Sequence, residues 1–208
     1  AVPIVPLVPV TPAEPLRRVH FRNITGSVDL ACPIDLKAVH CRLVESKDEP
    51  AKFCGLRFKI RQPKVTLLLF KSGKMVCTGA KTPDDCKVGA KLAAQLVRMA
   101  LGGKAPIKFR NFGIHNMVAT VNLGFRLALE DFALDNCMIC DYNPEIFSGV
   151  ICKIKEPKAC FLIFSTGKLV VTGIVTVKGL AAAMDFLFPR LALCCAEKTC
   201  KPPRDLCQ

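Results

Sequence analysis

The sequence predicts an α+β fold in which two copies of one unit each contribute antiparallel strands and helices. The main observation is a repeat: the 27 residues from Phe53 to Gly79 recur without a gap from Phe147 to Gly173, and 13 of the 27 aligned pairs are identical. The second observation is that both copies have the same surroundings. Each follows a strand pattern and a short helix pattern, and each precedes a longer helix pattern.

Each unit is predicted to begin with a strand and a short helix. Loose alternation of apolar and polar residues indicates strands at 19–30 and 112–123. Helical spacing indicates short helices at 35–44, where Asp35 is placed to cap the first turn, and at 130–137. The polar segments that follow these helices are predicted to be loops, at 45–52 and 140–144.

The repeated stretch itself divides into three strands. In the first copy they are predicted at 53–61, 64–70 and 74–78, and the second copy is predicted to repeat this plan. A tight hairpin at Ser72-Gly73 joins the last two, because glycine adopts a positive φ at little steric cost.

A longer helix is predicted to end each unit. In the first unit, Thr82 suits the N-cap, Pro83 suits the first helical position, and the glycines at 102–103 end the pattern. In the second unit the helix is predicted to begin at about Thr176, and Pro189 is predicted to end or kink it. The units so defined span 16–105 and 106–194, between a proline-rich tail at 1–15 and a C-terminal tail at 195–208.

The composition indicates which kinds of molecule the protein could bind. Of the 208 residues, 51% are hydrophobic, which is enough for a sizeable core. The excess of 30 Lys and Arg over 17 Asp and Glu gives a net charge of +13, which favours nucleic acid or an anionic membrane. No apolar run reaches the roughly 18 residues of a membrane helix, and no secretory signal opens the chain. The 13 cysteines lie largely in apolar runs, so we expect a soluble protein with reduced thiols.

No group of catalytic or metal-binding residues is evident. Cys137 and Cys140 have the spacing of a zinc-ligand pair, but no second pair or histidine follows at zinc-finger spacing. The three histidines form no recognisable catalytic arrangement with a serine or cysteine nucleophile, and the sequence contains no phosphate-binding loop motif. We therefore predict a protein that is not an enzyme and that requires no cofactor and no metal.

One face of the predicted sheet carries apolar side chains, and helices would cover the other face. By the two-residue period of a strand, this face includes Phe53, Leu68, Phe70, Val76 and Thr78, and in the second copy Phe147, Leu162, Phe164, Val170 and Thr172. Basic residues around it suit a surface that binds phosphates. The alternative is a closed sandwich in which the apolar side chains are core and the lysines are a solvated edge, and the pattern alone leaves both open.

Longer motifs stand out beyond the repeat. They are Ser72-Gly73-Lys74-Met75-Val76-Cys77-Thr78-Gly79-Ala80-Lys81, Asn116-Met117-Val118, Tyr142-Asn143-Pro144-Glu145, and in each repeat two phenylalanines separated by 16 residues. Together they resemble the TATA-box-binding protein family and its related factors, over roughly Arg18 to Leu193. The resemblance implies a saddle in which two direct repeats form one curved antiparallel sheet, with helices on its convex side and the minor groove of DNA on its concave side.

The resemblance also implies a function and assigns roles to positions. It implies a nuclear, general transcription initiation factor that binds and bends A·T-rich promoter DNA and nucleates the pre-initiation complex with factors of the IIA and IIB type. It places intercalating rings at Phe53, Phe70, Phe147 and Phe164. It places base contacts at Asn23, Thr25, Leu68, Val76, Thr78, Asn116, Val118, Leu162, Val170 and Thr172. It places phosphate contacts at Lys59, Arg61, Lys64, Lys74, Lys153, Lys158 and Lys168, and a partner-binding loop at Tyr142, Asn143, Pro144 and Glu145.

The chain departs from the family pattern at several of these positions. Thr25 stands where the first repeat of the family has valine, whereas Val118 keeps the valine of the second repeat. Asp48-Glu49-Pro50 replaces Tyr-Asn-Pro in the first loop, and Asn143 stands where the family often has glutamate. These differences support an alternative hypothesis: a diverged paralogue that acts mainly as a protein-interaction scaffold for basal factors, with weak or non-TATA DNA binding.

Overall fold

The computed structural model describes residues 19–43, 46–47, 54–103 and 105–195. The predictions for the tail at 1–15, for Phe53 and for Asp48-Glu49-Pro50 lie outside these residues, as do those for 196–208. The described residues divide into two compact units. The first-repeat unit comprises residues 21–119 and 172–176, and the remaining described residues form the second-repeat unit.

The strands of the described residues belong to one sheet. They are β1 (His20–Asp29), β2 (Ser46–Lys47), β3 (Leu56–Ile60), β4 (Val65–Leu69), β5 (Lys74–Ala80), β6 (Arg110–Asn122), β7 (Cys140–Asp141), β8 (Val150–Ile154), β9 (Ala159–Ile163) and β10 (Lys168–Ile174). Their order in the sheet is β2-β3-β4-β5-β1-β6-β10-β9-β8-β7. The hairpins β3–β4, β4–β5 and β8–β9 are antiparallel, and so is the long-range pair β1–β5.

The four helices in the described part of the chain lie where the sequence predicts them, with bounds that differ at their ends. They are α1 (Leu36–His40), α2 (Pro83–Ala100), α3 (Leu129–Asp135) and α4 (Val177–Leu193). Asp35 caps α1 by accepting hydrogen bonds from the backbone of Lys37 and Ala38, and Thr82 caps α2 by accepting one from Asp85. Both cap predictions are confirmed, because each side chain satisfies backbone N–H groups that the first turn leaves unpaired.

Two local predictions are wrong, and one alternative of a third is excluded. The predicted loops at 45–52 and 140–144 contain two short strands, β2 and β7, which pair with β3 and β8. Two-residue strands of this kind take their geometry from the neighbouring strand, so sequence pattern does not reveal them. Of the two effects predicted for Pro189, an end of the helix is excluded, because α4 continues to Leu193. Leu187 and Leu191 on either side of the proline are fully buried, and this packing supports the helix across the missing hydrogen bond.

Each unit buries one side of its strands beneath helices. In the first-repeat unit, the close approach of α2 to β4 requires Gly89, since a Cβ atom there would lie 2.6 Å from a methyl group of Val65. In the second-repeat unit, Leu180, Met184 and Leu187 of α4 are buried, and so is Phe161 of β9. The opposite side of the strands is therefore the one available for a ligand.

Candidate nucleic-acid interface

The side of the strands that the helices leave uncovered, here called the open face, has a regular pattern of exposure. In β4 and β5, Leu67, Leu69 and Met75 are fully buried, whereas the alternate residues Leu68 and Val76 are half-buried. The same alternation appears in β8 and β9 of the second-repeat unit. Because the strands of the described residues form a single sheet, they provide no second sheet to close a sandwich over this face. The open-face prediction is the one that the described residues support.

The apolar positions predicted as base contacts lie on the open face. Leu68 of β4 pairs directly with Val76 of β5, and both are half-buried. In the second-repeat unit, Leu162 pairs with Ile151, which is also half-buried, and Val170 has the same exposure in β10. Directly opposed side chains stand about 5 Å apart, so each unit has an adjacent apolar pair on this face.

A polar cluster surrounds Asn23 in the first-repeat unit. The Asn23 Oδ1 atom accepts hydrogen bonds from the Gly79 backbone N–H at 2.8 Å and from the Thr78 hydroxyl at 3.2 Å. The Thr25 Oγ1 atom lies 3.2 Å from Thr78 Oγ1 and accepts a long contact of 3.5 Å from Asn23 Nδ2. The backbone donor fixes the amide, so its Nδ2 group, which carries the donors, points away from Gly79.

The second repeat reproduces this cluster with one difference. Asn116 Oδ1 accepts hydrogen bonds from the Gly173 backbone N–H at 2.9 Å and from the Thr172 hydroxyl at 3.3 Å. At the place of Thr25 stands Val118, which is half-buried and has no polar atom in its side chain. Within the part of the chain that the structure describes, Asn116 Nδ2 makes no hydrogen bond and can serve a ligand.

The predicted intercalating rings lie at equivalent hairpins. Phe70 follows β4, and its N–H donates to the Lys74 carbonyl at 2.9 Å; Phe164 follows β9, and its N–H donates to the Lys168 carbonyl at 3.0 Å. Phe164 meets Phe147 edge to face, with ring centroids 5.8 Å apart and an interplanar angle of 65°. The structure thus brings the second pair together, whereas the partner of Phe70 lies outside the described residues.

Gly149 is a site residue that the sequence reasoning missed. A Cβ atom at this position would lie 2.9 Å from the Ile163 carbonyl oxygen, 3.0 Å from the Phe147 ring and 3.2 Å from the Phe164 ring. Only a residue without a side chain allows the two rings to pack against this strand. The available signal was the alignment of Gly149 with Gly55 in the repeated stretch.

Every basic residue predicted to contact phosphate is exposed, and these residues divide between two locations. By strand alternation Lys59, Lys74, Lys153 and Lys168 are on the open face, whereas Arg61, Lys64 and Lys158 lie in the turns that join β3 to β4 and β8 to β9. Arg57 also lies on the open face, directly opposite Leu68, and the sequence reasoning missed it. The same two-residue period that selected Leu68 could have found it.

The predicted partner-binding loop follows β7. Asn143 shapes it, because its Oδ1 atom accepts a hydrogen bond from the Glu145 N–H at 3.1 Å and its carbonyl accepts one from the Phe147 N–H at 2.9 Å. Asn143, Pro144 and Glu145 are exposed, while Tyr142 is half-buried. Tyr142 lines a cavity of about 320 Å³ together with Glu130, Asp131, Ser148 and Ser165, among others.

Two thiol pairs lie away from the open face. In one pair, a hydrogen bond from the Cys152 thiol lowers the pKa of Cys140, and the same contact together with burial raises the pKa of Cys152. In the other, Cys77 lowers the pKa of Cys86 in the same way. The hydrogen-bond partner of Cys140 is thus Cys152 and not Cys137.

The described residues contain no group of three metal-ligating side chains. They also contain no helix that is long and apolar enough to cross a membrane.

Comparison with known proteins gives one consistent result. The model of the family described as "Transcription factor TFIID (or TATA-binding protein, TBP)" matches residues 18–100 and 111–194. The chain is 38% identical over 170 residues to the TATA-box-binding protein of Drosophila melanogaster, covering 82% of this chain and 47% of that protein. It is 39% identical over 171 residues to TATA-box-binding protein 1 of Arabidopsis thaliana, covering 82% and 84%.

A solved structure supports the same relationship. Methanococcus jannaschii TBP superimposes with a TM-score of 0.72 at 31% identity, covering 85% of this chain and 99% of that chain. The fold class predicted from the repeats is confirmed by this match. The chain spans about half the length of the Drosophila relative and 56% of TATA box-binding protein-like 2 of Rattus norvegicus.

Proposed function

The chain belongs to the TATA-binding protein family, and we propose from this premise that it is a transcription initiation factor whose open face binds A·T-rich promoter DNA in the minor groove. The family is one of transcription factors and not of enzymes. The finer roles of bending the DNA and nucleating the pre-initiation complex in the nucleus are part of the proposal.

The observation that carries the proposal is the duplicated asparagine cluster. In both repeats a glycine N–H and a threonine hydroxyl bind the Oδ1 atom, so the amide presents its Nδ2 donors. Base edges in the minor groove offer N3 and O2 acceptors at both A·T and T·A pairs. Two amide donors amid half-buried apolar side chains therefore suit A·T-rich sequence, and the apolar neighbours disfavour the amino group of guanine.

Bending is supported by the aromatic residues at the hairpins. A ring that enters a base step unstacks it at a cost of roughly a few kcal/mol and allows the bent duplex to contact more protein. Phe147 and Phe164 are half-buried and packed together, so they form a wedge on a strand end that is already ordered. The exposed lysines of the open face would contact the phosphates on either side.

Complex assembly is assigned to the loop of Tyr142, Asn143, Pro144 and Glu145. Its exposed residues and the hydrogen bonds of Asn143 give a fixed, accessible shape. Basal factors of the IIB type are the proposed partners of this loop, and IIA-type factors are further proposed partners of the protein. A pull-down with the purified factors, using Glu145→Arg as the variant, tests this part.

The main experiment measures binding and bending together. The protein is titrated against A·T-rich and G·C-rich duplexes of equal length, labelled at both ends for energy transfer, over a range of salt concentrations. We expect tighter binding and a shortened end-to-end distance for the A·T-rich duplex, with a sequence preference that persists as salt rises. Equal affinity without bending for both duplexes would contradict the proposal.

A second candidate function is the protein-interaction scaffold. The observation in its favour is the exposure of large apolar side chains that flank the loop in sequence: Leu134, Met138 and Ile146 are 75%, 93% and 82% exposed. Exposed apolar side chains of this size favour protein contacts. This candidate predicts stable complexes with basal factors without DNA, together with DNA affinity that charge alone explains and that falls steeply with salt.

A further inference from the structure

The two asparagine clusters differ in the side chain that stands beside the amide. Thr25 brings a hydroxyl group into contact with Thr78 and Asn23, whereas Val118 brings only methyl groups to the equivalent place. Both side chains are half-buried on the open face. Each can therefore touch a ligand bound there.

The positions of the hydrogen atoms in the first cluster follow from its contacts. The Gly79 N–H fixes Oδ1 of Asn23 as the acceptor, and the Thr78 hydroxyl donates its single hydrogen atom to the same oxygen. In the 3.2 Å contact between the two threonines, Thr25 is then the donor. Its hydrogen atom is thereby used, and its oxygen is left as an acceptor.

The Thr25 oxygen can accept a hydrogen bond from only one kind of group on the base edges of the minor groove, the N2 amino group of guanine. A hydroxyl oxygen has two lone pairs, and the long contact from Asn23 Nδ2 occupies one of them. A·T and T·A pairs present only acceptors, while a G·C pair adds the N2 amino group of guanine as a donor. The Thr25 oxygen matches that amino group, and the methyl groups of Val118 do not.

We propose that Thr25 makes the first-repeat half of the base-reading surface tolerant of a G·C pair near the centre of the site, while Val118 keeps the second-repeat half selective for A·T pairs. This inference rests on the proposed function, which it makes specific: the preferred element is asymmetric. It also gives the protein a means to bind the element in one orientation, because the two repeats no longer read the same pairs.

The test is a scan of single G·C substitutions across an A·T-rich duplex, measured by competition titration. For the unaltered protein we expect central substitutions on one side to weaken binding by less than about threefold, and those on the mirrored side to weaken it by about tenfold or more. Thr25→Val should give the larger loss on both sides. Val118→Thr should give the smaller loss on both sides. Because each variant makes the two sides alike, the test does not require knowing beforehand which side each repeat reads.

Two controls separate the hydrogen bond from other effects. Thr25→Ser keeps the hydroxyl and should retain the tolerance of the unaltered protein. Inosine in place of guanine removes only the N2 amino group, so the tenfold losses should disappear for every variant. Thermal unfolding shows whether each variant is folded, and each loss is expressed relative to that variant's own affinity for the unsubstituted A·T-rich duplex.

The outcomes distinguish the inference from its premise. Equal losses on both sides for the unaltered protein, or tolerance that persists in Thr25→Val, would overturn the inference and leave the proposed function standing. Failure to prefer the A·T-rich duplex over a G·C-rich one would overturn the proposed function, and this inference with it.

Discussion

The ring of Phe147 packs edge to face against the ring of Phe164, with centroids 5.8 Å apart. Such a contact is favourable between aromatic rings and orients both of them. Phe161, three residues before Phe164, is fully buried in the core, whereas the pair itself is half-buried. The pair is thus held in place by the fold while part of its surface remains available to a ligand.

The first prediction concerns this pair. Replacing both rings by alanine (Phe147→Ala with Phe164→Ala) should reduce the bend of an A·T-rich duplex and lower the affinity by about tenfold or more, because the unstacked base step loses its wedge. The protein should remain folded, since neither ring is a core residue. Energy transfer between the duplex ends and thermal unfolding measure the two effects.

A matched control for the first prediction is Leu134→Ala on α3. Leu134 is 75% exposed, so its loss should change neither the bend nor the unfolding temperature. An unchanged bend angle in the double phenylalanine variant would contradict the assignment of these rings.

The second prediction concerns Gly149. In Gly149→Ala the new Cβ atom would lie 2.9 Å from the Ile163 carbonyl, which the β-sheet holds in place. We expect a loss of about 1–3 kcal/mol in the free energy of unfolding, measured by urea denaturation, as is typical of overpacking. Gly113→Ala is the control, because its Cβ would meet nothing nearer than His115 at 3.8 Å and should cost far less. Equal stability of the two variants would contradict the close approach.

The repeat made the fold predictable from the sequence. Two copies of a hairpin pattern, with helix caps at Asp35 and Thr82, specify strands and helices through local physics that the structure confirms. Elements that depend on a neighbouring part of the fold were harder to predict from the sequence. The short strand β7 exists because β8 offers it hydrogen bonds, and α4 continues past Pro189, where the leucines on both sides are buried.

The candidate site was predictable to a similar extent. Period-two alternation placed Leu68 and Val76 on the open face, where the structure pairs them. The contacts within the asparagine clusters could not be predicted, because they join Asn23 to Gly79 across 56 positions of sequence. The role of Gly149 likewise depends on a distance to a backbone atom that no residue pattern encodes.

The third prediction concerns phosphate contacts. Lys153 and Lys168 are exposed on the open face of the second-repeat unit. Replacing both by alanine should weaken binding to A·T-rich and G·C-rich duplexes by the same factor. It should also reduce the slope of log affinity against log salt by about one for each lysine that contacts a phosphate.

The control for the third prediction is Lys178→Ala. This lysine is exposed near the start of α4, a helix of the same unit whose buried side chains cover the other side of the strands. Its removal should leave the salt slope unchanged. A change in sequence preference, instead of a uniform loss, in the double variant would contradict a phosphate-binding role.

The fourth prediction concerns the thiol of Cys140. Its pKa is lowered chiefly by the hydrogen bond from Cys152, so a larger share of Cys140 is thiolate at a given pH below that pKa. In Cys152→Ala this donor is lost, and the pKa of Cys140 should rise toward its ordinary value. Alkylation of Cys140 by iodoacetamide, followed by mass spectrometry against pH, should then shift its midpoint to higher pH.

Two comparisons decide the fourth prediction. Cys152→Ser retains a hydroxyl donor next to the Cys140 sulfur and should restore part of the lower midpoint, whereas a merely structural effect of removing Cys152 would not distinguish serine from alanine. Cys137, which is exposed and three residues from Cys140, serves as the internal reference, and its alkylation should not change in either variant.

If the Cys140 midpoint were the same in all three proteins, the contact between β7 and β8 would not control this thiol. A shift confined to Cys140 would show that the thiol beside the proposed partner-binding loop is tuned by a strand pairing and not by solvent exposure.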